Sequence, residues 1–133
     1  MQKDIIPPIV ENIAIAILKD EFAEGVQWNV YLLNLKEEPI EGVLVTSRGY
    51  GEKNGEKIET STLRHFLDVV EAKSSKKIEP IMEDLFALGN EFWVSFYQNN
   101  KMYDKKYVFV AESIKKENFT AIPLLNKKGV MIM

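Results

Sequence analysis

Val26, Trp28, Val30 and Leu32 alternate with Gln27, Asn29, Tyr31 and Leu33, and only an extended chain puts such a series on two opposite faces. This period of two predicts a strand. Lys36-Glu37-Glu38-Pro39 follows as an acidic turn, and residues 40–48 return as a partner strand carrying Val43 and Val45 on one face. The pair forms a hairpin in which Trp28, Val30, Val43 and Val45 are expected to anchor one core. Its far end runs into Gly49-Tyr50-Gly51. Glycines and charges dominate residues 49–57, which predicts a solvated, mobile loop with Tyr50 exposed at its tip.

The flanking segments read in the same way. Pro7-Pro8 excludes regular structure at the start. Ile13, Ile15 and Ile17 alternate with Ala14 and Ala16, so a strand would direct the isoleucines to a core, with Lys19-Asp20-Glu21 ending it and Gly25 marking the turn. Residues 60–72, TSTLRHFLDVVEA, fit both helical spacing and an edge strand, and strand or extended chain is preferred because strands flank them closely. Residues 73–77 read as a turn. Residues 78–82 read as a short strand, in which Pro80 implies an edge or a bulge. Phe92, Val94 and Phe96 face one way and Trp93, Ser95 and Tyr97 the other; Asn99-Asn100 supplies a tight turn, and Tyr103, Tyr107 and Phe109 share a face of the return strand. Residues 112–118 predict a turn or two of helix. The end of the chain predicts another turn with apolar arms.

Seven or eight short strands with no long helix between them predict a single domain, residues 1–133, that is mostly β: an antiparallel sandwich with a short C-terminal helical turn. The length suffices for a core without metal or disulfide staples. With no cysteine, thiolate catalysis and thiolate zinc sites are excluded, and one histidine makes other zinc sites improbable. A net charge of −3 with scattered lysines argues against nucleic acid. The longest early apolar run, residues 13–18, is too short for a secretory or membrane segment, so the expectation is a cytoplasmic chain complete from residue 1, with no membrane partner. Asn118-Phe119-Thr120 then matches a glycosylation sequon by chance.

Candidate chemistry is sparse. Gly49-x-Gly51 lacks the third glycine and the following helix that a dinucleotide fingerprint needs, so no cofactor is expected. His65 has no G-x-S-x-G elbow to serve and reads as a hydrogen-bonded strand residue. Glu37-Glu38 and Glu83-Asp84 read as solvated strand ends. The lysine pairs at 76–77, 105–106, 115–116 and 127–128 read as edge charges that discourage aggregation. Three features point to binding. Arg48 and Arg64, the two arginines, flank the glycine-rich stretch, and a guanidinium fork suits a carboxylate or phosphate. Tyr50 between Gly49 and Gly51 has the character of a contact residue. The apolar end Val130-Met131-Ile132-Met133 is either a last strand of the same sheet or an interface between copies.

Asn34 ahead of Pro39-Ile40, then Val43 and Val45, resembles the B–C region of immunoglobulin-like domains; Ala72-x-Ser74 ahead of Ile78 resembles the turn before strand E, and residues 92–109 resemble the F–G hairpin. The Cys…Trp…Cys hallmark is absent, which points to a fibronectin-like relative. Three segments, SRGYGEKNGEKIETSTLRHFL, KIEPIMEDLFALGNEFWVSFY and AIPLLNKKGVMI, resemble a family of short uncharacterised bacterial proteins from the Bacteroidetes. Its members often carry the name of a phenylalanyl-tRNA synthetase subunit. Two arginines without long helices do not make a class II synthetase core, so the resemblance implies a stand-alone cytoplasmic domain and no catalytic residues. The expectation is a non-enzymatic binding or interaction module whose partner is another protein or a second copy. The alternatives are an anion-binding protein or small enzyme using Arg48, Arg64 and His65, and a translation-associated accessory protein.

Overall fold

The computed structural model describes residues 8–133; Pro7 and the residues before it lie outside the described residues. Among the described residues, ten strands form two antiparallel sheets. In chain order they are β1 (Ile13–Phe22), β2 (Gly25–Asn34), β3 (Ile40–Lys53), β4 (Glu56–Glu59), β5 (Leu63–Val70), β6 (Ser74–Pro80), β7 (Gly89–Gln98), β8 (Lys101–Phe109), β9 (Thr120–Ile122) and β10 (Lys127–Ile132). The first sheet has the order β6-β2-β1-β10-β9. The second runs β3-β7-β8, with β5 paired along the first part of β3 and β4 along its last four residues. The mostly-β antiparallel sandwich expected from the alternation is what the chain forms.

The core lies between the sheets, as the alternation requires. Ile13, Ile15, Ile17, Val30 and Leu32 come from one sheet, and Val43, Val45, Phe92, Val94, Phe96, Tyr107 and Phe109 from the other. Trp28 packs against this cluster from its margin and meets Phe86 edge-on at 5.1 Å. Truncating a buried ring such as Phe92 would cost about 3 to 5 kcal/mol, a large part of the stability of a small domain. Tyr107 also donates a 2.7 Å hydrogen bond to the Ile13 carbonyl, tying the two sheets on one side of the sandwich.

A second, smaller cluster covers the outer face of the first sheet. Ala14, Ala16 and Leu18 of β1 meet Leu33 of β2 and Ile122 of β9, so β1 is buried on both faces. The strand also runs on through Lys19-Asp20-Glu21 to Phe22, because Asp20 is itself buried among hydrogen-bond donors. Val26 sits at the far end of the hairpin and is exposed, unlike its row partners Val30 and Leu32.

Several segments differ from expectation for local reasons. Residues 49–57 are not a mobile loop: β3 continues to Lys53, and Asn54-Gly55, both at positive φ (55° and 81°), turn the chain directly into β4. The turn expected at residues 73–77 is confined to Ala72-Lys73, with Lys73 at φ 52°, and β6 starts at Ser74. Residues 60–72 do contain a strand, β5. Pro80 sits on edge strand β6, and a bulge lies beside it, since Val30 pairs with Glu79 while Tyr31 pairs with Lys77. Glu83–Ala87 forms a 3-10 helix rather than a strand end, with Glu83 accepting a 2.7 Å bond from the Trp28 indole. The helical turns expected over residues 112–118 shrink to the three-residue 3-10 helix Lys116–Asn118. Asn99 and Asn100, at φ 52° and 61°, make the expected tight turn.

The C-terminal arm is a strand of the chain's own sheet. Residues 129–132 pair with residues 15–18 of β1, and Val130 is buried in the core. Gly129 allows this approach: a Cβ there would lie 2.5 Å from the Ile17 carbonyl oxygen and 2.8 Å from the Leu18 Cβ. Gly129→Ala must therefore push β10 away from β1, and an overpacking cost of about 1 to 3 kcal/mol is expected as a lowered melting temperature. Unchanged melting would show that β10 does not contribute to the stability of β1.

Candidate functional site

The residues singled out in the sequence lie along β3 and β5 but on different faces. Inward positions of β3 are Val43, Val45, Ser47 and Gly49; outward positions are Leu44, Thr46, Arg48 and Tyr50. On β5, His65 stands opposite Val45 and faces in, whereas Arg64 stands opposite Thr46 and faces out. Arg48 and Arg64 thus share the outer face, and His65 does not join them.

Arg48 is already engaged. Its Nε donates to Glu91 Oε2 at 3.0 Å, its other end lies 3.7 Å from Glu59, and the guanidinium sits 5.4 Å from the centre of the Tyr50 ring. The Glu91 hydrogen bond and charge hold its pKa above the usual guanidinium value. Tyr50 is half-buried within β3 rather than exposed on a loop tip, and its ring covers Gly89, where a Cβ would stand 3.2 Å from Cζ. Gly49 and Gly51 are packing glycines: the Gly49 amide donates to Thr60 Oγ1 at 2.7 Å, and a Cβ on Gly51 would meet Leu88 at 2.8 Å. Arg64 is exposed and makes no ion pair among the described residues.

His65 belongs to a polar cluster on the inner side. Its Nε2 lies 2.6 Å from Glu79 Oε1, and the Ser47 hydroxyl donates to the same oxygen at 2.8 Å. Glu79 comes from β6, in the opposite sheet. Adjacent strand residues normally point to opposite faces, but the bulge turns both Ile78 and Glu79 inward, one to the core and one to Ser47. The serine and the histidine both address the carboxylate and not each other, so the trio lacks the nucleophile–base contact of a hydrolytic triad. Its geometry serves to join two sheets. Beside it opens a cavity of about 150 Å³ lined by Ser47, Thr60, Glu79, Ile81, Leu85 and Phe92 among others.

A second cluster sits on the outer face of the first sheet. Asp20 accepts hydrogen bonds from Asn29 Nδ2 and Tyr31 Oη, both at 2.6 Å, and from Lys127. The Lys127-Lys128 pair expected at a sheet edge is thus on internal strand β10, with Lys127 turned to Asp20. Lys76-Lys77 and Lys105-Lys106 do lie on edge strands. Sequence reasoning missed Ser47, Glu79 and Asp20 as partners. Their contacts cross 9 to 107 residues, and the one local trace is Ser47, a polar residue at an inward position of the alternating β3.

No group of histidines and carboxylates that could hold a metal exists among the described residues, and no helix there is long and apolar enough to cross a membrane. Comparison with known proteins finds no family model, no curated protein and no solved structure that matches the chain.

Asp20 gives a pH prediction. Burial raises its pKa, but the bonds from Lys127, Tyr31 and Asn29 outweigh burial and hold the carboxyl below its ordinary value; the Tyr31 hydroxyl, buried and bonded to Asp20, is pushed up to about 12. A depressed carboxyl contributes stability above the unfolded value near 4 and loses it as pH falls through the folded value. Asp20→Asn should therefore lower stability at pH 7 by about 1 to 3 kcal/mol and flatten the loss below about pH 4. Denaturant midpoints at pH 7 and pH 3 check this; parallel acid limbs in the two proteins would refute it.

Proposed function

We propose that the chain is a non-enzymatic binding module of the immunoglobulin or fibronectin type, which docks a protein partner on the outer face of its β3-β7-β8 sheet. The observation that carries the reading is what that face exposes. Phe66 is 67% exposed, Met102 52%, Tyr97 49% and Trp93 46%, all on outward positions of neighbouring strands. Aromatic residues, methionine and arginine are the side chains enriched where proteins meet, and Arg48 and Arg64 lie in the same face. Lys106 approaches Trp93 at 5.6 Å from the ring centre and Glu91 at 3.8 Å, so fixed charges frame the rings. Glu91, Glu59 and Asp104 among the bases keep the face from becoming the concentrated positive field that nucleic acid requires.

The strand order supports the family of folds. β1-β2-β6 follows the A-B-E order and β3-β7-β8 the C-F-G order of immunoglobulin sheets, with the strand after Asn34, the turn at Ala72 and the 92–109 hairpin in corresponding places. A cytoplasmic setting and a stand-alone domain accord with the resemblance to short Bacteroidetes proteins.

The test is a pair of exposed substitutions, Phe66→Ala with Trp93→Ala. Both rings are exposed, so melting should change by little. Affinity purification from the native host should yield a partner with the wild-type chain and lose it with the double variant. Light scattering on the pure protein identifies the case in which the partner is a second copy. Identical partners and identical mass for both proteins would defeat the proposal.

A further inference from the structure

We infer that the cavity beside Glu79 is a binding site for a small organic cation with an apolar body, the chemistry of a primary amine on a ring or short chain. This site lies on the inner side of β3, where Ser47 and Glu79 meet, and shares only Arg48 with the proposed docking face. Its walls are apolar, from Ile81, Leu85, Phe92 and Leu63, and its volume of about 150 Å³ is of the size that holds a benzene-sized molecule. A carboxylate stands in the lining. Glu79 Oε1 takes the bonds from Ser47 and His65, while Oε2 has no hydrogen-bond partner among the described residues. The carboxylate is held nearly buried, its side chain 11% exposed, so a cation reaching Oε2 meets a charge in reduced dielectric.

The other charge in the lining does not compete. Arg48 borders the cavity, but its guanidinium is bonded to Glu91 and faces Glu59. The remaining polar groups are largely committed too: Thr60 Oγ1 accepts from Gly49 and donates to Ser61, and the Asn90 amide donates to the Leu85 and Leu88 carbonyls. Asn90 Oδ1 is also unpaired among the described residues, but it is neutral, so Glu79 Oε2 is the charged acceptor left for a ligand. Apolar walls with one oriented carboxylate select an ammonium group carrying a hydrophobic substituent, and discriminate against neutral and anionic molecules of the same shape.

The probe is benzylamine, with benzyl alcohol and benzoate as matched controls, followed by melting temperature and by NMR shifts of residues around the cavity. Benzylamine should bind saturably in the millimolar range, with benzyl alcohol at least tenfold weaker and benzoate inert. Glu79→Gln keeps an acceptor for Ser47 and His65 but removes the charge, and should weaken benzylamine at least tenfold. Ser61→Trp, placed at an exposed position on the rim, should block binding in a folded protein even if the glutamine variant is unstable. Equal binding of benzylamine and benzyl alcohol, or equal affinity of Glu79→Gln and wild type, would overturn the cation assignment. No saturable response to benzylamine, or one that persists in Ser61→Trp, would overturn the site.

Discussion

Ile13, Ile15 and Ile17 enter the space between the sheets while Ala14, Ala16 and Leu18 close against Leu33 and Ile122, so the centre of β1 meets no water on either face. That double burial sets terms for the strands around it. β2 and β10 must supply the hydrogen bonds of a strand with no access to solvent, which they do over ten and four residue pairs respectively. On the outer side Leu33, Ile122 and Leu125 pack with Ala14, Ala16 and Leu18, and β10 comes so close that a Cβ at residue 129 would clash with Leu18. Alanine at 14 and 16 and glycine at 129 answer that steric demand. The large-small alternation is thus one solution to two packing problems, one on each face.

Much of this was legible. The alternations in β1, β2, β3 and β7 identified strands and the side that faces the core, because burial of one face is recorded directly as a period of two. Asn99-Asn100 announced its turn for the same local reason. Residues 49–57 were misread because their glycines and charges resemble a loop, although Asn54-Gly55 is itself a hairpin signal. The hairpin there projects beyond the core, so its exposed side chains leave no apolar alternation to find. The lysines at 76 and 77 likewise hid the start of β6, an edge strand whose outward side is charged.

The candidate sites divide along the same line. Trp93, Ser95 and Tyr97 were legible as one face of β7, but the sequence could not tell that Trp93 and Tyr97 stay exposed among the described residues, since coverage depends on where β9 and β10 go. Those two strands add to the first sheet. Arg48 and Arg64 flank the glycine-rich stretch in sequence and share the outer face of the second sheet, whereas His65 was grouped with them by sequence proximity alone. Side-chain alternation separates residues 64 and 65 more decisively than their adjacency joins them. Ser47, His65 and Glu79 meet only because a bulge turns a β6 residue inward, and no local pattern encodes that rotation.

The two open sides of the sandwich are closed by different means, and the difference bears on function. Where β8 approaches β1, Tyr107 fills the gap with an aromatic ring and one hydrogen bond to the backbone. Where β5 approaches β6, the inward positions hold Ser47, His65 and Glu79, with Lys76 reaching the Leu67 carbonyl at 2.7 Å. Apolar side chains at those positions would close the gap at no desolvation cost, as they do on the other side. Polar groups that are nearly buried are tolerated when bonded, and Glu79 satisfies one oxygen with Ser47 and His65 while its side chain borders a cavity. This fold breaks its own inward-apolar rule on one side, where it keeps a carboxylate and an unfilled space, and that is the place where the proposed cation site would lie.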